Sequence, residues 1–234
     1  MVEWLNLKLK KHETKNYTMA TYVIGDIHGQ VKALEKCLEL SAFDMENDKL
    51  ICLGDVCDRG DHVKESFDLL LKIKNLVYVL GNHDTWFLDW AVSGTAEYTW
   101  EVQYGEITQQ NYKNGVPQSH IDLLQNAKMF HLEDERLFVH AGIDIYKPLE
   151  EQTEYDLLWN RDLVNYIFRI SSRPVFEMKK PFKEIFVGHT PTVNYGSEKP
   201  IYMKGVWMLD TGAGWGHKLT IMDIETKEFW QAQV

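Results

Sequence analysis

Five short apolar segments of the chain each lead into a glycine-containing corner that carries a potential metal ligand. The segments read VIGDIHG at 23–29, ICLGD at 51–55, VYVLGNHD at 77–84, LFVHAG at 137–142 and IFVGHT at 185–190. Apolar runs of this length are typical of buried strands, and open α/β sheets bind ligands beyond the carboxyl ends of their strands. Five strand ends can therefore meet at one crevice and form a metal site.

The polar side chains at these corners supply two carboxylates, one amide oxygen and three imidazoles. They belong to Asp26, His28, Asp55, Asn82, His140 and His189. This donor set is sufficient for two divalent ions if one carboxylate bridges them, and mixed nitrogen and oxygen ligands suit Mn²⁺, Fe or Zn²⁺. We expect a pair of Mn²⁺ ions that clamps a phosphoryl group while a hydroxide bridging the ions attacks phosphorus directly.

Three residues beside these ligands predict the rest of the chemistry. His83 follows Asn82 directly, so we expect it beside the scissile bond, where it can protonate the leaving oxygen as general acid. Asp58 lies in GDVCDRG at 54–60 and is predicted to orient that imidazole. The neighbouring Arg59 offers a planar fork for phosphate oxygens. The histidines that match no motif receive no role; they are His12, His62, His120, His131 and His217.

The order of apolar segments predicts an α/β fold with two sheets. Helical periodicity over 31–40 and 63–73 separates the first three strands, which indicates a parallel sheet built from right-handed crossovers. Residues 128–140 predict a hairpin that begins a second sheet. Further antiparallel strands are expected near 201–203, 205–209, 219–222 and 228–230. Two mixed sheets packed face to face, with helices outside, fit this pattern.

The predicted domain organisation is an N-terminal extension at 1–18 and a single catalytic domain at 19–234, with a helical insertion near 84–126. The insertion begins with an aromatic-rich stretch from Trp86 to Tyr104. These rings can form a wall or lid over a substrate, or they can pack a helical cap onto the sheet, which we favour because aromatic side chains are mostly buried. The stretch 169–180 is expected to be a solvated loop.

The charge and the cysteine content narrow the class of partner and the compartment. The net charge is −10 with no long run of Lys or Arg, which excludes the electrostatic footprint of a protein that binds nucleic-acid polymers. The odd number of cysteines favours reduced thiols in the cytoplasm, with Cys52 and Cys57 as buried apolar residues. No membrane-spanning stretch or signal segment is recognisable, so we expect a soluble cytoplasmic protein with no membrane partner.

The motifs GDIHG (25–29), GDVCDRG (54–60), GNHD (81–84), HAG (140–142) and GHT (188–190) resemble, in this order, the phosphoprotein phosphatase branch of the calcineurin-like metallophosphoesterases. Within this branch they resemble the bacterial and phage serine/threonine protein phosphatases. The resemblance implies an αββα sandwich, a His83–Asp58 acid pair, and one metal on Asp26, His28 and Asp55. The second metal would be held by Asp55, Asn82, His140 and His189. The segment LLWNRD at 157–162 is similar to one that supplies a second phosphate-binding arginine, here Arg161.

Two residues depart from the protein phosphatase pattern. Leu80 stands where an arginine usually precedes GNH, and Asp84 replaces a glutamate. At these two positions and in the segment LDTGAGWG at 209–216, the sequence is more similar to the symmetrical dinucleoside tetraphosphatases of the same superfamily.

We therefore predict a metal-dependent hydrolase of phosphoserine and phosphothreonine monoesters, with symmetrical hydrolysis of diadenosine tetraphosphate as the alternative. A third possibility is an inactive scaffold that binds phosphorylated partners, although the sequence retains every ligand and the acid. The expected partner is a phosphorylated protein or a phosphate-containing small molecule.

Overall fold

The structure of the protein, a computed structural model, describes residues 19–170 and 182–234. The predicted extension at 1–18 and most of the predicted loop at 169–180 lie outside these residues. The described strands are β1 (Thr21–Ile24), β2 (Lys49–Cys52), β3 (Asn75–Tyr78), β4 (Phe130–Glu133), β5 (Arg136–Val139), β6 (Glu184–Val187), β7 (Ile201–Met203), β8 (Val206–Met208), β9 (Lys218–Asp223) and β10 (Phe229–Gln233). They form two five-stranded sheets, ordered β10-β9-β1-β2-β3 and β4-β5-β6-β8-β7.

The described helices connect the strands and flank the sheets. In chain order they are α1 (Val31–Leu40), α2 (Val63–Leu70), α3 (Asn82–Ser93), α4 (Tyr98–Trp100), α5 (Glu106–Asn111), α6 (Gln118–Gln125), α7 (Glu154–Leu158) and α8 (Asp162–Arg169). A π-helical segment at Glu101–Gly105 joins α4 to α5, and 3₁₀ turns lie at Leu149–Glu151, Thr192–Tyr195 and Ala213–Trp215. The division of the chain into an extension, one catalytic domain and an insertion stays a prediction.

The first three strands and two helices follow the predicted alternation, and β1, β2 and β3 are parallel neighbours. Helix α1 has the predicted bounds, whereas α2 ends at Leu70, three residues before the predicted end. Beyond that point the amides of Lys72 and Ile73 bond to carbonyls three residues back, those of Leu69 and Leu70. This tighter turn ends the α-helix while keeping the apolar Ile73 buried.

Side chains alternate between the two faces of each sheet, and this alternation creates three layers of core. Val23 lies between the sheets, while its neighbour Ile24 packs under the helices of the first sheet. Phe138 and Phe186 of the second sheet stack in the same central layer, with ring centroids 4.8 Å apart. Leu163 of α8 packs on the outer face of the second sheet. The αββα sandwich predicted from the sequence is confirmed.

The aromatic-rich helices pack mainly onto the first sheet. Phe87, Trp100 and Tyr112 are all buried in the cluster that covers its outer face. Gly105 lies directly against the Trp100 ring, where a Cβ atom would approach the ring to 2.5 Å. Packing therefore explains most of these rings, as we favoured over a substrate wall.

The predicted hairpin at 128–140 is present as β4 and β5, which pair antiparallel across a turn at Asp134 and Glu135. Both turn residues have positive φ angles, 50° and 59°. Cys52 and Cys57 are buried free thiols, as predicted. Across 19–170 and 182–234, no helix combines the length and the hydropathy that crossing a bilayer requires.

An ion-pair network centred on the buried residues Arg136 and Glu184 joins the two sheets at the end where β5 and β6 begin. Glu184 accepts hydrogen bonds from Arg136 Nε at 3.1 Å, Trp207 Nε1 at 3.0 Å and Lys227 Nζ at 2.6 Å. Arg136 also donates to both carboxylate oxygens of Glu225, at 2.8 and 2.9 Å. Because Glu225 and Lys227 belong to the β9–β10 turn, the network fixes the first sheet to the second.

We expect Glu184→Gln to lower the free energy of unfolding by about 1 to 2 kcal/mol at neutral pH, because Arg136 and Lys227 then face a neutral partner. Burial raises the pKa of Glu184, but hydrogen bonds from Lys227 and Trp207 outweigh it and hold the pKa below its usual value. The stabilisation is therefore complete above the unfolded-state pKa of about 4.3 and is lost as the pH falls through the lower folded-state value.

Urea unfolding at several pH values measures this effect, and the difference between variant and wild type should shrink below about pH 4. The control is Glu39→Gln, which removes the carboxylate of an exposed pair with Lys36 and should change stability much less. A difference that does not depend on pH would contradict the ion-pair explanation.

Candidate active site

The structure brings the predicted metal ligands together at the carboxyl ends of β1, β2, β3, β5 and β6. Each ligand follows shortly after the end of its strand, and none is more than 7% exposed; they are Asp26, His28, Asp55, Asn82, His140 and His189. The first four come from the first sheet and the last two from the second. The site therefore lies at the junction of the two sheets, at the edge opposite the ion-pair network.

The ligand atoms form two clusters that share the carboxylate of Asp55. One cluster contains Asp26 and His28, the other contains His140 and His189, and within each the ligand atoms lie within 4.8 Å of one another. The amide oxygen Oδ1 of Asn82 lies 2.9 Å from His140 Nε2 and 2.8 Å from His189 Nδ1, so Asn82 joins the second cluster. This is the division of ligands that the family resemblance implied.

Backbone carbonyls orient two of the imidazoles. His28 donates its Nδ1 proton to the carbonyl oxygen of Cys57, and His140 donates its Nδ1 proton to that of Leu53, both at 2.7 Å. In each ring Nε2 is therefore the nitrogen that faces the cluster. Carbonyl partners of this kind fix the tautomer and ring orientation that a metal-binding histidine needs.

The electrostatics of the clusters suit divalent cations. Burial raises the pKa of Asp55, but the imidazoles of His140 and His83 outweigh it and hold that pKa well below its usual range. Burial lowers the pKa of His140, but the charge of Asp55 outweighs it and raises the pKa to about 9. Burial and the nearby Asp210 raise the pKa of Asp26 well above its usual value. A divalent ion would replace the proton of His140 and compensate the crowded carboxylates.

Two motif glycines leave room for the ligand carboxylates. A Cβ atom on Gly81 would lie 2.2 Å from Oδ1 of Asp55, and a Cβ atom on Gly188 would lie 2.2 Å from Oδ1 of Asp26. Any other residue would therefore displace a predicted ligand. The glycines of GNHD and GHT are explained by this close approach.

Backbone conformations of low population concentrate at the site. Five of its non-glycine residues have φ angles between 48° and 68°, in the left-handed region; they are His28, Asp55, Asp58, Arg59 and His189. Such conformations cost about 1 to 3 kcal/mol each and persist where surrounding contacts hold them. The fold thus stabilises a corner geometry that the local sequence does not favour.

Asp84 supports the shared ligand, a role that the sequence analysis missed. Its buried carboxylate accepts hydrogen bonds from the backbone amides of Asp55 at 2.8 Å, Val56 at 3.1 Å and Gly81 at 3.1 Å, and from the Tyr78 hydroxyl at 2.9 Å. Asp84 is the third residue of α3, a position where an acidic side chain often bonds the residue that caps a helix. The position of Asp84 in the first turn of the helix was the feature of the sequence that could have indicated this role.

His83 and Asp58, which are predicted to act together as an acid pair, are hydrogen-bonded to each other, and His83 lies next to Asp55. His83 donates its Nδ1 proton to Oδ2 of Asp58 at 2.5 Å, and its backbone amide donates to Oδ1 of Asp55 at 2.9 Å. Asp58 also accepts from Trp100 Nε1 at 2.8 Å and Thr108 Oγ1 at 2.5 Å. These two helical residues, which the sequence analysis did not connect with the site, hold the carboxylate that orients His83.

The two predicted phosphate-binding arginines line a cavity of about 620 Å³ beside the clusters. Arg59 Nη2 donates to His83 Nε2 at 3.1 Å, and its Nη1 donates to His28 Nε2. Arg161 and His189 line the same cavity. Both arginines therefore share one cavity with several of the predicted metal ligands.

Three tryptophans contribute to the walls of this cavity: Trp86, Trp159 and Trp215. Trp86 comes from the aromatic-rich stretch, while the other two come from LLWNRD and LDTGAGWG. His217, to which no role was assigned, also lines the cavity. In contrast, His120 is buried between Tyr112 and Asp68 and is structural.

Comparison with known proteins identifies the family. The model of the calcineurin-like phosphoesterase family matches residues 19–210, so the chain belongs to this family of phosphoesterases, as the motifs predicted. The chain is 27% identical to a protein of Pseudomonas fluorescens (strain SBW25) that is named symmetrical bis(5'-nucleosyl)-tetraphosphatase. The alignment covers 92% of this chain and 95% of that relative.

Two solved structures share the fold. One, assigned provisionally as a diadenosine tetraphosphatase, has a TM-score of 0.68 and 17% identity, and the match covers 93% of this chain and 95% of that chain. The other, a protein serine/threonine phosphatase of Saccharomyces cerevisiae, has a TM-score of 0.59 and 14% identity, with coverage of 92% and 80%. At these identities the likeness concerns the fold alone.

We expect Asp84→Asn to weaken binding of Mn²⁺ by about 10- to 100-fold, because an amide group cannot accept all the hydrogen bonds that position Asp55. Calorimetric titration of the metal-stripped protein measures the affinity. The matched control is Asp156→Asn, which changes another buried carboxylate at the third position of a helix, α7. The control should lower thermal stability without changing metal affinity, and equal losses of affinity in both variants would contradict a specific role for Asp84.

Proposed function

We propose that this phosphoesterase hydrolyses symmetrical dinucleoside tetraphosphates, the alternative that the sequence raised beside phosphoserine and phosphothreonine monoesters. The observation that carries the proposal is the cavity, in which Arg59 and Arg161 lie near three tryptophans and the ligand clusters. A nucleoside polyphosphate needs cations for its phosphates and apolar or aromatic surface for its bases. The name of the Pseudomonas relative supports the same substrate class.

Two divalent ions, for which we propose Mn²⁺, would be held by the two clusters that share Asp55. The donor set fits them, because the imidazole lone pairs and carboxylate oxygens converge and the anionic charge is in excess. When bound, the ions neutralise phosphate charge and supply the activated water for direct attack.

The protein side chains would position the substrate and donate the proton. Arg59 and Arg161 would bind oxygens of the phosphate under attack, which fixes it beside the clusters. His83 would protonate the leaving oxygen, and Asp58 would keep its imidazole oriented and stabilise its positive charge. The buried position of Asp58 and its additional donors Trp100 and Thr108 would make that orientation rigid.

A direct comparison of substrates tests the proposed function. The Mn²⁺-loaded protein is assayed on diadenosine tetraphosphate and on a phosphoserine peptide, with a metal-stripped control. We expect the dinucleotide to be cleaved symmetrically, to ADP alone, with a kcat/KM at least about tenfold above that of the peptide, a difference of about 1.4 kcal/mol in transition-state stabilisation.

The other outcomes separate the remaining functions. A higher kcat/KM for the peptide would restore the prediction of a protein serine/threonine phosphatase. Inactivity on both substrates, despite bound metal, would favour the inactive scaffold. The cytoplasmic location predicted from the sequence stays a prediction.

Replacing the proposed acid tests its role. We expect His83→Asn to lower kcat by about two to four orders of magnitude on a substrate with a poor leaving group, because an alkoxide must be protonated as it departs. The loss should be smaller for diadenosine tetraphosphate, since a nucleoside diphosphate leaves as a more stable anion. Metal affinity, measured by calorimetry, should stay unchanged, and loss of metal would show that His83 supports the ligands instead.

A further inference from the structure

Trp215 is an exposed aromatic residue held rigidly at the rim of the cavity. It ends the 3₁₀ turn Ala213–Trp215, which lies between Gly212 and Gly216, both in the left-handed region with φ of 88° and 80°. The amides of Trp215 and His217 both donate to the carbonyl oxygen of Gly212, at 2.9 and 3.0 Å. The backbone that carries the indole is therefore fixed by its own turn.

The same turn packs directly on a proposed metal ligand, His28, and on a proposed phosphate-binding residue, Arg59. A Cβ atom on Gly214 would lie 2.4 Å from Cδ2 of His28 and 2.9 Å from Cδ of Arg59. The guanidinium carbon Cζ of Arg59 lies 4.4 Å from the centroid of the Trp215 ring, within the range of a cation–π interaction. The indole thus borders the place where the phosphate would bind.

Burial distinguishes this tryptophan from those that serve the core. Trp100 is fully buried and Trp86 is 9% exposed, whereas Trp215 remains 51% exposed although it lines the cavity. A large aromatic surface that stays in contact with water gains free energy when a flat apolar group covers it. A nucleobase is such a group, and in a nucleoside polyphosphate it is tethered to the phosphates that Arg59 would bind.

We propose that Trp215 is a nucleobase-stacking residue that selects nucleoside polyphosphates over phosphoesters without a base. The proposal rests on the proposed function for its phosphate site and adds the residue that recognises the base. Stacking of a base on an aromatic side chain is worth about 1 to 3 kcal/mol, which corresponds to a change in affinity of about 5- to 150-fold. It tolerates different bases, because every base has a π face.

Binding of two probes to the Mn²⁺-loaded protein tests the proposal. ADP carries a base and inorganic pyrophosphate does not, and calorimetric titration gives the dissociation constant of each. We expect Trp215→Ala to weaken ADP binding about tenfold or more and to change pyrophosphate binding by less than about twofold. Trp215→Phe, which keeps an aromatic ring, should retain most of the ADP affinity. The control Tyr202→Ala removes a half-exposed ring of β7 outside the cavity and should change neither affinity.

Three results would overturn the proposal. If Trp215→Ala weakens binding of ADP and of pyrophosphate equally, Trp215 only positions Arg59. If the substitution changes neither affinity, the indole does not touch the base. If the wild type binds ADP no more tightly than pyrophosphate, the protein does not recognise the base. Turnover of diadenosine tetraphosphate by the wild type, measured in parallel, separates these failures from failure of the proposed function. If the wild type cleaves the dinucleotide while Trp215→Ala binds ADP normally, only the stacking proposal is wrong.

Discussion

The buried carboxylate of Asp84 holds together the corner on which the site depends. It accepts from the amides of Asp55 and Val56 after β2, from that of Gly81 before α3, and from the hydroxyl of Tyr78 at the end of β3. A buried carboxylate is costly unless donors surround it, and here they do. The same bonds satisfy backbone amides that lie beyond the strand hydrogen bonding and fix the left-handed corner at Asp55. The ligand shared by both clusters is therefore placed by a side chain that makes no contact with a metal in the proposed arrangement.

Bonds between the two sheets make the clusters and the packing of the sandwich depend on each other. The backbone amide of His189, from the second sheet, donates to both carboxylate oxygens of Asp26, from the first, at 3.0 and 3.1 Å. His140, which also belongs to the second sheet, likewise donates to the carbonyl oxygen of Leu53 in the first. A change in the spacing of the sheets would therefore alter both clusters. The stacked central layer around Phe138 keeps that spacing fixed, so the apolar core sets the geometry of the polar site.

The sequence predicted the two sheets and marked the residues now proposed as ligands and acid, because apolar runs and side-chain chemistry both leave a pattern in the residue types. The carbonyl oxygens of Leu53 and Cys57, which accept hydrogen bonds from His140 and His28, leave no such pattern, because every residue supplies a carbonyl. Trp100 and Thr108 reach Asp58 from 42 and 50 residues away, contacts that only the tertiary fold determines. The preferred substrate class was less predictable for a related reason. The motifs specify phosphoryl chemistry, whereas the walls of the cavity, which come from α3 and from separate loops, would contact the rest of the proposed substrate.

The guanidinium of Arg59 contacts a proposed metal ligand, the proposed acid and the proposed base-stacking residue. It donates to Nε2 of His28 and of His83, and it lies over the ring of Trp215. If a cation bound Nε2 of His28, the contact with Arg59 would have to be released, because one lone pair cannot serve both partners. The guanidinium would then be free to bind phosphate, which would leave Nε2 of His83 available to carry the proton for the leaving group. In the proposed arrangement, binding of metal and binding of phosphate would therefore be linked through Arg59, whose backbone is held in the left-handed region.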